Sequence, residues 1–320
     1  MKVLVTGATG FVGHALCDFL NARGHNVVPV VRRAVSLPGA VVVGNISGTT
    51  DWTAALTGCD AAVHLAARVH VMDDTTQNPL ALYRQTNTEA TLHLARESVK
   101  AGVKRFVFIS SIKINGEGRD TPYRETDAPA PEDAYAISKW EAEQGLADIA
   151  AQTGLEVVVL RPPLVYGPGV GANFLRLMQN VERGWPLPLG AIRNRRSLLY
   201  LGNFTHAIRL CIEHPGAAGQ TFLLDDGQAV ATPELIRAVA DVLHRPAHLL
   251  AVPVSLLRLA GRMTGKSAAV SRLTGSLYVD SRAIRAQLGW VPPYSMQEGL
   301  TQTVAAFVQD RASTRSTVKS

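Results

Sequence analysis

Tyr135 and Lys139 stand four residues apart in Tyr-Ala-Ile-Ser-Lys, within a stretch, 132–151, whose pattern predicts a helix. About one helical turn separates them, so both side chains leave the same face. A phenol with its ordinary pKa of about 10 is a sluggish acid or base at neutral pH, and a neighbouring ammonium favours the phenolate. The pair therefore predicts a tyrosine whose pKa is lowered by Lys139 and which serves as a proton donor or acceptor. Ser110 and Ser111 close the apolar run 105–110, and Ser111 is the residue expected to bind the reacting oxygen. Near the start of the chain, Gly7-Ala-Thr-Gly-Phe-Val-Gly13 follows the apolar run Lys2–Thr6. Gly7 permits a tight turn, Gly10 a close backbone approach, and Gly13 close helix–strand packing, the arrangement that cradles a dinucleotide diphosphate at a helix N-terminus. Taken singly, each feature has a purely structural reading; their conjunction in one chain points to chemistry.

The elements that must position these residues read from the pattern. Apolar runs at 2–6, 26–31, 41–43, 61–65, 105–110 and 155–160 alternate with helical segments. Continuous apolar strands are buried on both faces, which predicts the α/β class: a Rossmann-type, doubly wound parallel sheet with ligands beyond the carboxyl ends of its strands. After Arg161 the texture changes to Pro162-Pro163, Gly167-Pro168-Gly169 and Trp185-Pro186-Leu187-Pro188. The expected division is a dinucleotide domain over 1–165, a smaller C-terminal α/β substrate domain over 166–309 with some segments returning to the first sheet, and a disordered polar tail over 310–320. Thr232-Pro233-Glu234 reads as a helix start and Trp290-Val-Pro-Pro293 as a helix stop.

The 320 residues are 47% hydrophobic with a formal charge of +6, an ordinary globular composition. Cys17, Cys59 and Cys211 are odd in number, far apart and set in apolar segments, which argues against a disulfide framework or a zinc site and for a reducing cytosol. His244 and His248 have a metal-ligand spacing, but Pro246 lies between them and no third ligand is near, so no metal is expected. No apolar run reaches the roughly 18 residues of a membrane span. The expectation is a soluble, cytoplasmic protein without a membrane partner; Arg262, Lys266 and Arg272 read as solvated helix faces, with phosphate or membrane-surface contact as the other reading. Arg193, Arg195 and Arg196 form a compact basic group without interleaved aromatics, which argues against nucleic acid.

With these motifs in place, the chain resembles the extended short-chain dehydrogenase/reductases of the NAD-dependent epimerase/dehydratase family, in the nucleotide-sugar branch, over nearly its full length. The resemblance rests on Gly7 to Gly13, Val63-His-Leu-Ala-Ala67, Asn87, Ser110-Ser111, Tyr135-Ala-Ile-Ser-Lys139 and Arg161-Pro-Pro-Leu-Val-Tyr-Gly-Pro-Gly169. It implies that Ser111, Tyr135 and Lys139 are catalytic and that Lys139 also bonds the nicotinamide ribose. It implies further cofactor contacts at Thr9, Phe11, Val12, Asn45, Ile46, Leu65, Ala66, Ala67, Ser110, Pro162 and Val165, with Asn87 supporting the site from a helix. Asn173 and Arg196 match the residues that meet the sugar nucleotide and its diphosphate, and Arg272 is a second phosphate candidate. A homodimer built on helices near 86–100 and 133–151 is implied as well.

Departures set the subtype. Dehydratases of this branch carry Thr-Asp-Glu after the serine strand, whereas this chain has Ser111-Ile112-Lys113, so dehydration is not expected. The second strand ends in Val31-Arg32-Arg33, with no acidic residue for a ribose 2′-hydroxyl; two guanidiniums favour NADP(H), with NAD(H) the alternative. The stretches 110–117, 173–178 and 194–203 look most like bacterial surface-polysaccharide enzymes. The leading expectation is therefore reduction of a UDP-4-keto-6-deoxy-N-acetylhexosamine at C4. The alternatives are a UDP-hexose 4-epimerase with tightly bound NAD and, remotely, a non-catalytic NADP(H) sensor.

Overall fold

The computed structural model describes residues 1–69 and 78–317, with side chains as far as Arg311. The chain runs β1 (Lys2–Thr6), α1 (Phe11–Asn21), β2 (Asn26–Val31), β3 (Val41–Val42), α2 (Thr53–Leu56), β4 (Ala61–His64) and α3 (Pro79–Tyr83). A π-helical turn, Arg84–Glu89, leads into α4 (Ala90–Lys100), followed by β5 (Arg105–Ile109), a 3₁₀ turn (Ile112–Ile114), α5 (Ala134–Thr153) and β6 (Glu156–Arg161). Beyond these lie β7 (Leu164–Tyr166), α6 (Ala172–Glu182), β8 (Arg196–Tyr200), α7 (Leu201–Glu213), β9 (Thr221–Leu223), β10 (Ala229–Val230) and α8 (Thr232–Val242). The last helices are α9 (Val254–Met263), α10 (Ser267–Thr274), α11 (Arg282–Leu288) and α12 (Met296–Thr317).

Seven strands form one parallel sheet in the order β3-β2-β1-β4-β5-β6-β9. The order reverses between β1 and β4, and the switch point opens a crevice at the carboxyl ends of both strands. The inner strands are buried along their length, as their Val-, Ile- and Phe-rich sequences require of a sheet covered on both faces. One face carries Val5, Leu16, Leu20, Val107 and Phe204; the other carries Leu4, Trp52, Leu94, Phe106 and Leu146. A second sheet, β10-β8-β7, shares a separate core with α6, α8 and α12.

The segments after residue 165 that return to the first layer are one strand and two helices. β9 pairs with β6, while Phe204, Ala207, Ile208 and Cys211 of α7 and Ile284 and Leu288 of α11 cover the sheet. Helix α12 runs to Thr317, through much of the stretch expected as a disordered tail; residues 318–320 lie outside the described residues. Leu300, Val304 and Phe307 anchor its first turns in the second core, and the Ala-, Gln- and Arg-containing sequence beyond continues a helix already nucleated.

Candidate active site

The glycine turn is built as its sequence demands. Gly7 adopts φ +68°, a left-handed conformation, and an added Cβ there would lie 3.0 Å from the Ala66 amide nitrogen. A Cβ on Gly13 would collide with the Gly7 carbonyl oxygen, so a larger residue would force α1 away from β1. Gly10 caps α1 with extended backbone and no side chain in the way, while Thr9 and Gly10 are exposed at the opening and Phe11 and Val12 are half-buried.

A hydrogen-bonded chain fixes the neighbouring strand ends. Thr6 Oγ1 accepts the amides of Leu65 and Ala66, each at 3.1 Å, which uses both lone pairs and leaves its proton for His64 Nδ1 at 2.8 Å. His64 must then donate from Nε2 to Thr91 Oγ1 at 3.0 Å, and Thr91 donates to the Asn87 carbonyl at 2.7 Å. Burial pushes the His64 pKa down to about 3, with Lys139 adding a smaller push, so the imidazole is neutral. The sequence reading gave His64 a place in the Val63–Ala67 motif but no role, and it missed Thr91; a histidine within an apolar strand was the available signal.

Asn87 is fully buried in the π-helical turn, and its amide joins two halves of the site. Its Oδ1 accepts the Arg68 amide at 2.8 Å, and its Nδ2 donates to the Arg68 carbonyl and to Ser138 Oγ, both at 3.0 Å. Asn87 thereby holds helix α5 against the end of β4 and positions the tyrosine helix. Single π turns of this kind recur at functional sites.

Helix α5 begins at Asp133, whose Oδ1 accepts the Ala136 amide at 2.8 Å and whose Oδ2 accepts Lys113 Nζ at 2.6 Å. Lys113 also donates to Glu117 at 2.8 Å. The residue that stands where dehydratases carry an acid is thus committed to two carboxylates. One turn beyond Lys139, buried Glu143 meets buried Arg161 side-on, with contacts of 2.5 to 3.2 Å, and Arg161 Nη1 reaches Asn115 Oδ1 at 3.0 Å. This pair, missed in the sequence, bolts α5 to the end of β6.

The three catalytic candidates meet at the crevice. Ser111 follows β5, its Oγ accepts the Lys113 amide at 3.3 Å, and its hydroxyl hydrogen-bonds the Tyr135 phenol. Tyr135 packs edge-on against Tyr83, with ring centroids 6.3 Å apart. Lys139 is buried, donates to the Ile109 carbonyl at 2.8 Å, and lies 4.4 Å above the Phe108 ring.

The electrostatics depart from the expected lowering of Tyr135 by Lys139. Burial pushes the Lys139 pKa down to about 7 against a smaller upward pull from Glu143. Burial also pushes Tyr135 up to about 12; Ser111 draws it down, and Asp133 and Tyr83 add to the rise. The protein alone keeps Tyr135 as a phenol, because desolvation outweighs the hydrogen bond from Ser111.

The other candidate residues distribute along the strand ends. Arg32 and Arg33 are exposed just past β2; Asn45 is exposed and Ile46 half-buried past β3. Leu65, Ala66 and Ala67 line the end of β4, Ser110 the end of β5, and Pro162 and Val165 the turn after β6. Asn173 is exposed in the first turn of α6. Arg196 opens β8, donates to the carbonyls of Arg272 at 2.9 Å and Gly275 at 3.2 Å, and is drawn electrostatically toward Glu117. The Arg272 side chain is exposed on α10. A cavity of about 620 Å³ beside the glycine turn is lined by Thr9, Gly10, Phe11, Gly169 and Leu201 and includes none of Ser111, Tyr135 or Lys139. Among the described residues no cluster of His, Cys, Asp and Glu could hold a metal.

The comparisons with known proteins fit this geometry. Residues 3–224 match the model of the NAD-dependent epimerase/dehydratase family. The chain belongs to that family. It is 47% identical over 314 residues to a UDP-glucose 4-epimerase of Vibrio cholerae, covering 96% of each chain. It is 27% identical to an N-acetyl-α-D-glucosaminyl-diphospho-ditrans,octacis-undecaprenol 4-epimerase of Escherichia coli O157:H7, covering 95% of this chain and 94% of that one. The solved structure of MoeE5 in complex with UDP-glucose and NAD superimposes with a TM-score of 0.78 at 27% identity, covering 97% of this chain and 100% of that one.

The residues of this family member suit a dinucleotide. The glycine cradle has no room for a Cβ at Gly13, and Ser110 Oγ is buried without a hydrogen-bond partner among the described residues. The Lys139 ammonium, which among the described residues donates to the Ile109 carbonyl, retains donors for a ribose.

Proposed function

We propose that the protein is a UDP-hexose 4-epimerase that works with a retained nicotinamide dinucleotide. The likeness to the Vibrio cholerae enzyme, extending over 96% of both chains, carries this reading, and it moves the preference from the reductase expected on sequence to the epimerase. The bound dinucleotide supplies hydride acceptance at sugar C4 and hydride return. The chain's own residues do the rest. The Tyr135 hydroxyl exchanges a proton with the sugar O4, Ser111 holds that oxygen in line, and Lys139 supplies positive charge near the phenol. Asn173 and Arg196 hold the nucleotide and its diphosphate, a guanidinium matching phosphate oxygens with a planar, permanently charged fork.

NAD in the MoeE5 complex supports NAD as the cofactor here. One observation favours the second reading, an NADP(H)-dependent 4-keto reductase: the end of β2 exposes Arg32 and Arg33 where a carboxylate would select NAD. The two readings separate on cofactor traffic. An epimerase keeps dinucleotide through purification and turns over without added reductant, whereas a reductase consumes reduced cofactor stoichiometrically. Protein that interconverts UDP-hexoses at C4 with nothing added supports the epimerase; protein that is inert on UDP-hexoses and oxidises NADPH against a 4-keto sugar nucleotide establishes the reductase.

A further inference from the structure

Helices α9 and α10 form a hairpin tied to the rest of the molecule at its carboxyl end, where Asn194, Thr232 and Arg196 donate to the carbonyls of Arg272 and Leu273. They pack closely on each other, with Gly261 buried against Val270, where an added Cβ would come within 2.8 Å of a Val270 methyl. None of the residues 254–274 enters the buried apolar clusters of the described chain. Apolar side chains that should seek a core are instead in water: Leu256 is 54% exposed, Leu259 53% and Met263 81%. Their spacing of three and four residues puts them along one side of α9. Single exposed leucines need no explanation, but a line of them on one helix does.

Charge says what covers this side. From 242 to 279 the chain carries five cations and no carboxylate. Arg258, Arg262 and Lys266 are exposed and alternate with the apolar residues. A second copy of this face would bring like charge against like charge. An anionic lipid surface complements both features: apolar side chains enter the boundary between headgroups and acyl chains while guanidinium and ammonium groups meet lipid phosphates. No described helix is long and apolar enough to cross a membrane, and lying on a bilayer surface requires none.

We propose that the α9–α10 hairpin docks this protein on anionic membrane surfaces. The hairpin is also tied to the site, because the carbonyls of Arg272 and Gly275 at its carboxyl end accept hydrogen bonds from Arg196. Docking therefore holds the mouth of the substrate site at the lipid boundary.

Flotation of the full chain with vesicles tests this, using phosphatidylcholine alone and phosphatidylcholine with about 30 mol% phosphatidylglycerol. At low salt, recovery with the anionic vesicles is expected to exceed that with neutral ones by about tenfold, and to fall as salt screens the charges. Leu256→Ser/Leu259→Ser/Met263→Ser and, separately, Arg258→Glu/Arg262→Glu should each abolish recovery while keeping the wild-type melting temperature and activity on a soluble sugar nucleotide. Equal recovery with both vesicle types, or retained recovery in both variants, overturns the proposal. Absence of vesicle binding together with a dimer that the triple variant dissolves would assign the face to a second copy instead.

Discussion

Tyr135 and Lys139 are each pushed by burial away from the charged form, and that sets what the isolated protein does with protons. Tyrosine absorbance on the cofactor-free chain should show no phenolate assignable to Tyr135 below about pH 10, given its pKa of about 12. Tyr135→Phe removes the group proposed to exchange the proton and should lower turnover by about 10²- to 10⁴-fold while leaving dinucleotide binding intact, measurable as steady-state rate beside retained cofactor absorbance. Lys139 makes a separate prediction. Its pKa is about 7 folded against 10.5 for the free side chain, so between these values the unfolded chain binds the extra proton and stability rises with pH. Below pH 7 the ammonium is buried at full cost. Lys139→Met should therefore raise the melting temperature of the cofactor-free protein most at pH 6, with the gain shrinking toward pH 10, while activity is lost. A pH-independent difference in melting temperature would contradict the buried-ammonium account. The types of these residues were legible in the sequence from one motif. The direction of the Tyr135 shift was not, because desolvation depends on what Phe108, Tyr83 and the strand ends pack around the pair.

Helix α5 carries the proposed catalytic pair, and four side-chain contacts hold it. Asp133 caps it, Asn87 ties it to β4 through Ser138, Lys113 ties its cap to the 3₁₀ turn, and Glu143 ties it to β6 through Arg161. Breaking the last link strands a buried charge. Arg161→Met or Glu143→Leu alone should each cost about 3–5 kcal/mol in urea unfolding, whereas the double change should recover much of that loss. Additive losses in the double variant would show that the two residues act independently. At the glycine turn, Gly13→Ala places a methyl group against the Gly7 carbonyl and should displace α1, so the purified variant should carry no dinucleotide and melt at a lower temperature. The helix was predicted over 132–151 and found at Ala134–Thr153, because the repeat of apolar and polar positions is local information. Its ties to Arg161 and Asn87 were hidden. A lone glutamate and a lone asparagine look the same in a sequence whether they face water or a partner 18 or 51 residues away.

For the whole molecule, the parallel sheet followed from the rhythm of apolar runs and glycine turns, since strands covered on both faces have little choice of composition. The course of the chain after residue 165 was less legible. β9, α7 and α11 return to the first sheet over separations that no local pattern encodes, and α12 is kept helical by a core built elsewhere. Choice of reaction was the least legible, because one set of Ser, Tyr and Lys serves both a reductase and an epimerase, and the difference lies in whether the cofactor leaves. The most direct test follows UDP-glucose with the purified protein and no added cofactor, reading the sugar by proton NMR and the nicotinamide by absorbance. The account predicts UDP-galactose rising to an equilibrium mixture with no net change in reduced nicotinamide. Unchanged UDP-glucose, from protein that carries no dinucleotide but oxidises added NADPH with a 4-keto sugar nucleotide, would contradict it.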